Sequence, residues 1–495
     1  MPISFRLSFS MKLLIALSVL AYSAALAAAE SAKESDFYKI TSFPIARDMF
    51  IEVGSMELLP DDKVALGTRR GDIFVASDVT GDASAVRYKL FATGQREVLG
   101  LGYKDGALYA TDRAEVVRVQ DKSRDAVADT YQVVSDAWGV TPDGHEYAFG
   151  SRFDKNGDLW VALCLTGSFT SEARFRGWAL RVKPDGALVP TCSGIRSPGG
   201  IGFDAEGDVY YTDNEGPWHG SSTLQHLVPG SFQGHPAGNS WYPEAPNMGP
   251  RPVEPNDDSR MVTERARIKE LLPPAVYLVH GKIGNSASFI AADLSGGKFG
   301  PFAKQIFVGD QSHSNISRVF LETVNGIRQG VVIPFLKGFK SGLIAGRISD
   351  KGQLFVGGAD RGWGARGGEP MCFERVDWTG KVPFEIHEMR ARPDGFELTF
   401  THPVDAKTAS DPASYKMREF TYIYRSKYGS PEVDEVIPKI TSAVPSADGR
   451  SVRLVISPLT KGHIHELHLD GLRSAEAQPL LHPVAYYTLN EIPNR

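Results

Sequence analysis

Polar and ionisable residues collect at the two ends of one strand-like stretch of this sequence. Arg196 precedes the alternating residues Ile201 and Phe203, and a polar turn, residues 204–207, leads to a return run with Val209 and Tyr211. The return run is followed by Asp213, Asn214 and His219. Alternating apolar residues around a polar turn predict two antiparallel strands, which brings their outer ends together. We therefore expect a guanidinium, a carboxylate and an imidazole at one rim of the fold, where proton-transfer chemistry is possible.

A second candidate cluster is the segment Asp143-Gly144-His145-Glu146, which directly precedes a strand-like run. A histidine at such a rim is a candidate general base, because imidazole ordinarily titrates close to neutral pH. The alternative is that His145 is a hydrogen-bonded structural residue at the start of a strand.

Two further polar loops interrupt strand-like runs later in the chain. One loop begins with His280, and the other contains Ser312 and His313. The glycine-rich stretch 357–368 has no helical pattern after it, so it does not predict a phosphate loop. Its functional alternative is a flexible loop that brings side chains to a ligand, namely Arg361, Trp363 and Arg366.

Repeats explain how these loops would be positioned. A glycine-centred turn followed by an aliphatic, an aromatic and a small residue occurs at residues 70–75, 105–110, 156–161, 206–211 and 351–356. Most spacings are about 35 to 50 residues, which is the period of a propeller blade. Residues 286–321 supply a degenerate copy in the long gap. We expect an all-β, six-bladed β-propeller over residues 37–380.

One segment interrupts this rhythm. Residues 217–274 include a proline-rich part, residues 243–256, that does not suit the interior of a sheet. We expect a surface excursion between two blades. The alternative is a lid over the channel mouth.

Alternating strand-like runs continue after the last repeat, from residue 383 to residue 495. The number of short strands and the length of this region are typical of an immunoglobulin-like β-sandwich. We expect it to follow the propeller as a C-terminal domain.

The N-terminus has the features of an export signal. Residues 1–29 contain basic residues, a short apolar run and a small-residue end. We expect cleavage and a periplasmic or secreted protein without a membrane span, since no later segment is apolar for long enough. A net charge of -5 and the absence of basic clusters argue against a nucleic-acid partner.

Cysteine usage limits the chemistry further. The chain has 3 cysteines and no C-x-x-C-H motif, which excludes covalently bound haem. Cys164 and Cys192 either form a disulfide across neighbouring strands or are small buried hydrophobic residues.

Several of these motifs together resemble a known family. The stretches G-I-R-S-P-G-G-I-G-F-D, Y-T-D-N-E-G-P-W and D-G-H-E-Y-A-F-G resemble the soluble glucose/sorbosone dehydrogenases, which are six-bladed quinoprotein propellers. The stretches H-G-K-I-G-N-S and G-D-Q-S-H-S-N-I-S-R-V resemble more closely the membrane-bound-dehydrogenase-like proteins often fused to cytochrome c. The resemblance covers about residues 45–380.

The resemblance implies roles for individual residues. The residue matching His145 takes the sugar hydroxyl proton while hydride passes to pyrroloquinoline quinone, and the residue matching Arg196 contacts the quinone and the substrate oxygen. Carbonyl groups matching Gly216 and Pro217 bind a calcium ion. Further cofactor contacts match Ser197, Ser312, His313 and Lys340. The sequence departs from the family at Ser197, where the family has Asn, and at residues 218–220, where the family has Asp residues.

Our leading hypothesis is an exported sugar dehydrogenase with a quinone, a carbohydrate substrate and a separate electron acceptor such as a cytochrome c. Its remaining rim residues would be Asp143, Glu146, Asp213, Asn214, His219 and His280. One alternative is a non-catalytic propeller that binds carbohydrate or protein. Another is a calcium-dependent lactonase-type hydrolase with Asp213 and Asn214 as metal ligands.

Overall fold

The computed structural model describes residues 32–494, which consist mainly of antiparallel β-strands. The prediction of an all-β chain is confirmed. The predicted export signal, residues 1–29, lies outside the described residues. In the described part of the chain, we find no helix with the length and apolar character needed to cross a bilayer.

The larger part of the described chain contains strands β1 to β24. In chain order they are β1 Tyr38–Ser42, β2 Val53–Leu59, β3 Lys63–Thr68, β4 Ile73–Ser77, β5 Arg87–Ala92, β6 Gly100–Lys104, β7 Ala107–Thr111, β8 Val116–Gln120, β9 Thr130–Ser135, β10 Ala148–Phe153, β11 Leu159–Leu163, β12 Trp178–Val182, β13 Leu188–Ser193, β14 Pro198–Phe203, β15 Val209–Asp213, β16 Ser222–His226, β17 Val276–Leu278, β18 Ala287–Ala292, β19 Ile306–Asp310, β20 Asn315–Val324, β21 Ile327–Lys337, β22 Ala345–Ile348, β23 Gln353–Ala359 and β24 Met371–Trp378.

These strands form a closed ring of sheets. Each consecutive group of four strands from β2 to β21 forms antiparallel pairs in chain order. Strands β22, β23 and β24 form a further sheet, which β1 completes by pairing with β24. The first strand of each sheet contacts the first strand of the next sheet. These contacts run from β2 to β6, β10, β14, β18 and β22 in turn, and β22 contacts β2, which closes the ring. Such closure of four-stranded sheets around a centre is the arrangement of a β-propeller.

Most of the predicted glycine turns join the first and second strands of a sheet. They contain Gly106, Gly157, Gly207 and Gly352, all with positive φ. The first predicted copy differs in phase, because Gly71 lies between β3 and β4, the second and third strands of its sheet. The first turn of that sheet uses Asp61 and Asp62, with φ of 60° and 56°. Asp tolerates this left-handed backbone, so a pattern based on glycine misses the turn.

We expected residues 217–274 to lie between two blades. Instead they lie within one sheet, because they contain β16 and then connect β16 to β17 of the same sheet. The connection includes two 3-10 helices, Pro236–Glu244 and Pro246–Met248, and helix α1, Met261–Arg267. The first 3-10 helix packs against the third sheet, where Trp178 Nε1 donates to Gly238 O at 2.7 Å. This part of the connection therefore lies against the strands β12 and β13.

The remaining strands follow the ring. They are β25 Ile386–Arg392, β26 Gly395–Phe400, β27 Lys416–Tyr422, β28 Glu432–Val436, β29 Lys439–Pro445, β30 Ser451–Ser457, β31 His463–His468 and β32 Val484–Leu489, with the short helix α2, Ala406–Ser410. Strands β25, β26, β30 and β29 form one sheet. Strands β28, β27, β31 and β32 form a second, and the core between the two contains Phe396, Leu454 and Tyr487.

The second C-terminal sheet is continuous with the ring. Strand β32 pairs with β21, with Val331 opposite Tyr487 and Val332 opposite Tyr486. Val331 and Ile333 of β21 also belong to the C-terminal core. The C-terminal region is therefore attached to the fifth sheet of the ring by backbone pairing and by shared apolar burial. Its immunoglobulin-like classification remains a prediction.

One buried ion cluster ties the N-terminal and C-terminal parts together and predicts pH-dependent stability. His482 lies 2.5 Å from Glu385 Oε1 and 3.0 Å from Glu34 Oε1. Burial alone would lower the pKa of His482, but the carboxylates of Glu385 and Glu34 outweigh it and raise the pKa to about 9.

Because this pKa exceeds its ordinary value of 6.5, protonated His482 stabilises the fold fully below about pH 6.5, and the stabilisation is lost as the pH rises through about 9. We expect this group to remove about 3 kcal/mol from the free energy of unfolding over that interval. Urea unfolding at pH 6 and pH 9.5 measures the loss. A His482→Gln variant that loses stability just as steeply with pH would contradict the assignment.

Candidate functional site

The predicted functional residues lie on connections at one end of the ring. In an antiparallel four-stranded sheet, the connection entering the first strand and the connection between the second and third strands lie at the same end. We call this end of the ring the site face. The predicted residues on or beside such connections are Asp143, His145, Glu146, Arg196, Ser197, Asp213, Asn214, Gly216, Pro217, His219, His280, Ser312, His313 and Lys340.

His145 is exposed and lies in a turn, residues 143–146, which we call the histidine turn. Its backbone N–H donates to Asp143 Oδ1 at 2.7 Å. Its ring stacks on Trp363, with centroids 5.6 Å apart and an interplanar angle of 11°. Arg361 lies over the rings of Tyr147 and Trp363, at 4.4 Å and 5.1 Å. Among residues 32–494 the ring nitrogens of His145 have no hydrogen-bond partner, so they are free to act on a ligand.

The loop of residues 164–169 joins the histidine turn to the turn that carries Arg196. Gly167 N donates to Asp143 Oδ1 at 3.1 Å. On the other side, the Ser168 hydroxyl donates to Ser197 Oγ at 3.3 Å. Although partial burial raises the pKa of Asp143, the backbone N–H donors lower it below its ordinary value. The Asp143 carboxylate therefore fixes both the histidine turn and the connecting loop.

The side chain of Arg196 is buried and held by backbone carbonyls. Its Nη1 donates to Glu215 O at 2.7 Å and to Asn214 O at 3.2 Å. Its guanidinium lies 5.8 Å from the ring of Phe169 and 5.2 Å from the ring of Tyr428, and both rings are exposed. Within the described part of the chain, its Nε has no hydrogen-bond partner. A buried donor without a partner favours a ligand with an acceptor at this point.

Gly216 leaves the space that this guanidinium occupies. A Cβ atom at this position would lie 2.0 Å from Arg196 Cζ and 2.1 Å from Arg196 Nε. The φ of Gly216 is outside the left-handed region, so the backbone does not require glycine here. The glycine is needed because the arginine packs directly against the chain.

Two predicted rim carboxylates have structural roles instead. Asp213 is fully buried and accepts from the N–H groups of Arg196 and Ser197 at 2.9 Å and 2.7 Å. Glu146 is also buried and accepts from Thr141 N and from the Thr166 hydroxyl. Both carboxylates hold neighbouring turns through these bonds and are buried, so they lie beneath the site face rather than at its rim.

His219 is also enclosed rather than at the rim. It is 4% exposed, and its Nε2 lies 3.6 Å from Asp213 Oδ2. Burial lowers the pKa of His219, and it lowers the pKa of the neighbouring His235 well below the ordinary value. Both imidazoles are therefore neutral near pH 7 and belong to the packing beneath the site face.

The turn at Gly216 and Pro217 does not fit the predicted calcium ion. Gly216 O already accepts from His219 N at 3.1 Å, and the Arg196 guanidinium lies against the same residue. Calcium requires several oxygen ligands, and a fixed positive charge beside them opposes its binding. An acidic group elsewhere consists of Asp204, Glu206 and Asp208, but Arg328 binds it at the opposite end of the ring.

The remaining predicted residues add positive and polar groups to the site face. His280 Nδ1 lies 3.2 Å from Glu215 Oε2. His313 is buried, and its Nε2 has no hydrogen-bond partner among the described residues. Burial lowers the pKa of His313, and the carboxylate of Asp310 opposes this change. Ser312 is half-buried, and the Lys340 side chain is exposed.

Sequence patterns did not indicate two aromatic groups at this face. Phe169 is the last residue of the connecting loop, and Tyr428 comes from the C-terminal region. The loop that carries Tyr428 is held against the ring because Trp218 N donates to Arg425 O at 2.6 Å and the Trp218 ring packs on Tyr424. The C-terminal region therefore contributes directly to the site face. Trp363 was identified from its glycine-rich loop, but its stacking on His145 was not expected.

The buried cysteines do not take part. Cys164, Cys192 and Cys372 are all unpaired and buried. Burial raises the pKa of Cys192 to about 12 and also raises that of Cys164. These thiols stay protonated near neutral pH. Of the two alternatives for Cys164 and Cys192, the structure therefore agrees with small buried residues and not with a disulfide.

The fold and this face define a propeller-type protein with an exposed imidazole and a buried guanidinium at one end of its ring. The chain belongs to the family described as Domain of unknown function (DUF7133), whose pattern matches residues 53–322. That match covers more than half of the chain. No curated protein matches it.

Several solved structures are similar to this chain at low sequence identity. A protein described as a putative oxidoreductase (glucose dehydrogenase) from Thermus thermophilus is 18% identical, with a TM-score of 0.49, over 68% of this chain and 99% of that one. The PQQ-bound aldose sugar dehydrogenase from Streptomyces coelicolor is 15% identical, with a TM-score of 0.49, over 69% and 98%. The PQQ domain of pyranose dehydrogenase from Coprinopsis cinerea is 11% identical, with a TM-score of 0.46, over 69% and 97%.

Proposed function

We propose that this protein is an exported, six-bladed propeller dehydrogenase that oxidises a hydroxyl or aldehyde group of a sugar with a bound quinone. The observation that supports this most is the link between His145 and Arg196. Their turns are held by one loop, residues 164–169, at the same end of the ring. A base and an oxyanion-stabilising cation on one rigid support are what proton removal from a sugar hydroxyl needs.

In this proposal His145 receives the proton. Its ring is exposed, its nitrogens have no protein partner among residues 32–494, and the stack on Trp363 sets the plane of the imidazole. Asp143 holds the backbone of the turn through the N–H of His145 and does not touch the ring nitrogens. The side chain is therefore oriented by stacking and by the turn.

Arg196 stabilises negative charge on oxygen. Its guanidinium is kept in place by Asn214 O and Glu215 O. The Nε, which has no partner among residues 32–494, remains as a donor for a ligand. A preorganised, buried donor of this kind stabilises a developing oxyanion more than an exposed one, because water does not screen it. The exposed rings of Phe169 and Tyr428 suit the apolar faces of a sugar or of an aromatic cofactor.

The residues of this face fit pyrroloquinoline quinone, a carboxylated aromatic cofactor. Arg196 with Ser197, His313 with Ser312, and the exposed Lys340 are the groups that would hold it. Arg196 Nε and His313 Nε2 have no hydrogen-bond partner within the described residues, and they are the buried atoms that such a ligand would satisfy. When bound, the quinone would supply the acceptor for the hydride of the sugar carbon. A separate electron carrier, such as a cytochrome c, would reoxidise it. The proposal requires no calcium ion at Gly216.

The two rival functions predict different behaviour. The lactonase-type hydrolase is disfavoured because Asp213, its proposed metal ligand, is fully buried and holds the backbone N–H groups of Arg196 and Ser197. A propeller that only binds carbohydrate would use the exposed aromatic residues without any turnover.

Reconstitution tests the proposed function directly. We expect the purified protein with added pyrroloquinoline quinone to reduce an artificial dye when a panel of aldoses and acidic sugars is supplied, and to do so without added calcium. Heat-denatured protein with the same quinone is the control. Quinone that fails to bind, or a bound quinone that supports no dye reduction with any sugar, would refute the proposal.

A further inference from the structure

We propose that an arginine-lined pocket beside His145 binds an anionic substituent of the sugar, so that the substrate is an acidic saccharide with a carboxylate or sulfate group. This inference deepens the proposed function and rests on it for the reaction, while the binding itself is independent of catalysis. The pocket has a volume of about 530 Å³ and opens at the site face. It lies among Arg69, Arg70, Arg96, Arg113, Glu97 and the segment 140–144.

The pocket and the proposed base share one wall. Gly144 lines the pocket, and His145 is the next residue in the chain. Arg113 Nη2 donates to Asp143 O, which belongs to the same turn. On the far side, Arg361 packs on Trp363 and lies 3.5 Å from Glu97 Oε1. A sugar whose reacting hydroxyl is at His145 can therefore place a neighbouring substituent in the pocket.

The pocket has more positive than negative charge. Arg69 pairs with Glu97 at 2.9 Å, and Arg70 pairs with Glu52 at 3.1 Å. In the described part of the chain, Arg96 and Arg113 have no carboxylate oxygen within 4.0 Å of their guanidinium nitrogens. Two guanidinium groups without a carboxylate partner in one concavity favour an external oxyanion, which they bind by charge-assisted hydrogen bonds.

The size of the pocket favours a small molecule over a protein surface. Small-molecule sites usually have volumes of about 300 to 1,000 Å³, and this pocket falls in that range. Exposed aromatic residues at the same face, Trp363 and Phe169, can contact the apolar side of a sugar ring. A free inorganic anion would need neither the volume nor the aromatic surface.

Calorimetry with matched sugars tests this inference without quinone or turnover. We expect methyl glucuronoside and glucose 6-sulfate to bind at least tenfold more tightly than methyl glucoside. Both single changes, Arg96→Gln and Arg113→Gln, should reduce that preference at least threefold, and raised salt should weaken it. Arg87→Gln, which changes an exposed arginine on β5, is the matched control and should leave the preference unchanged.

The result separates the inference from the proposed dehydrogenase activity. Tight, arginine-dependent binding of acidic sugars supports the pocket even if no sugar is oxidised. Equal binding of acidic and neutral sugars would overturn it. If free sulfate binds as tightly as glucose 6-sulfate, the assignment to a saccharide is overturned. The same holds if this protein binds polyglutamate through Arg96 and Arg113 and binds none of the sugars.

Discussion

His145→Asn should lower kcat for sugar oxidation by about 10² to 10⁴-fold, with little change in the affinity for the quinone. Asparagine has a similar size and keeps hydrogen-bonding atoms, but it cannot accept a proton near neutral pH. The backbone N–H bond to Asp143 is retained, because any residue supplies that donor. The measurement is the steady-state rate of dye reduction by the reconstituted protein.

The fold should tolerate this change, since His145 is exposed and such substitutions usually alter stability by less than about 0.5 kcal/mol. His468→Asn is a matched control, because this partly exposed histidine is in the C-terminal region, where it bonds to Glu466. We expect wild-type rates from the control. A His145→Asn protein that turns over sugar at the wild-type rate would remove His145 from the chemistry.

Gly216→Ala should reduce quinone affinity and turnover by about 10² to 10³-fold, although the substituted residue has no reactive group. The new methyl would occupy the position of the Arg196 guanidinium, which must then move away. The backbone of Arg196 cannot follow, because its N–H is bound to Asp213 and its C=O accepts from Leu165 N. Quinone binding by fluorescence titration measures the effect independently of turnover.

Gly81→Ala is the control for adding a methyl group, since a Cβ at Gly81 has no atom of residues 32–494 within 4 Å. Arg196→Lys tests the same site from the other side. It keeps the positive charge but removes the Nε donor, so we expect quinone affinity and turnover to fall here as well. Normal quinone affinity in both Gly216→Ala and Arg196→Lys would exclude Arg196 as the cofactor contact.

The ring was predictable because its signal is local and repeated. Each turn such as Gly157 or Gly207 is followed at once by an alternating strand, and these turns occur between the first and second strands in the structure. The repeat at Gly71 was shifted in phase because Asp61 and Asp62 replace glycine in the first turn of that sheet. The pairing of β32 with β21 was not predictable, since the two strands are distant in sequence and carry no matching motif.

The candidate site was predictable only in part. Sequence placed His145 and Arg196 at one rim, because both precede the first strand of a repeat. It did not reveal that Asp213 and Glu146 are buried anchors, since a carboxylate that accepts backbone N–H bonds has no distinct sequence pattern. Tyr428 was missed because only long-range packing brings it over Arg196. The arginine pocket was missed because its residues come from different connections.

A crystal structure of the protein soaked with pyrroloquinoline quinone tests the central claim most directly. The account predicts quinone density at the site face, within hydrogen-bonding distance of Arg196 Nε, with the ring of His145 facing the space beside it. Quinone bound elsewhere, or His145 and Arg196 opening onto separate cavities, would contradict a shared reaction centre.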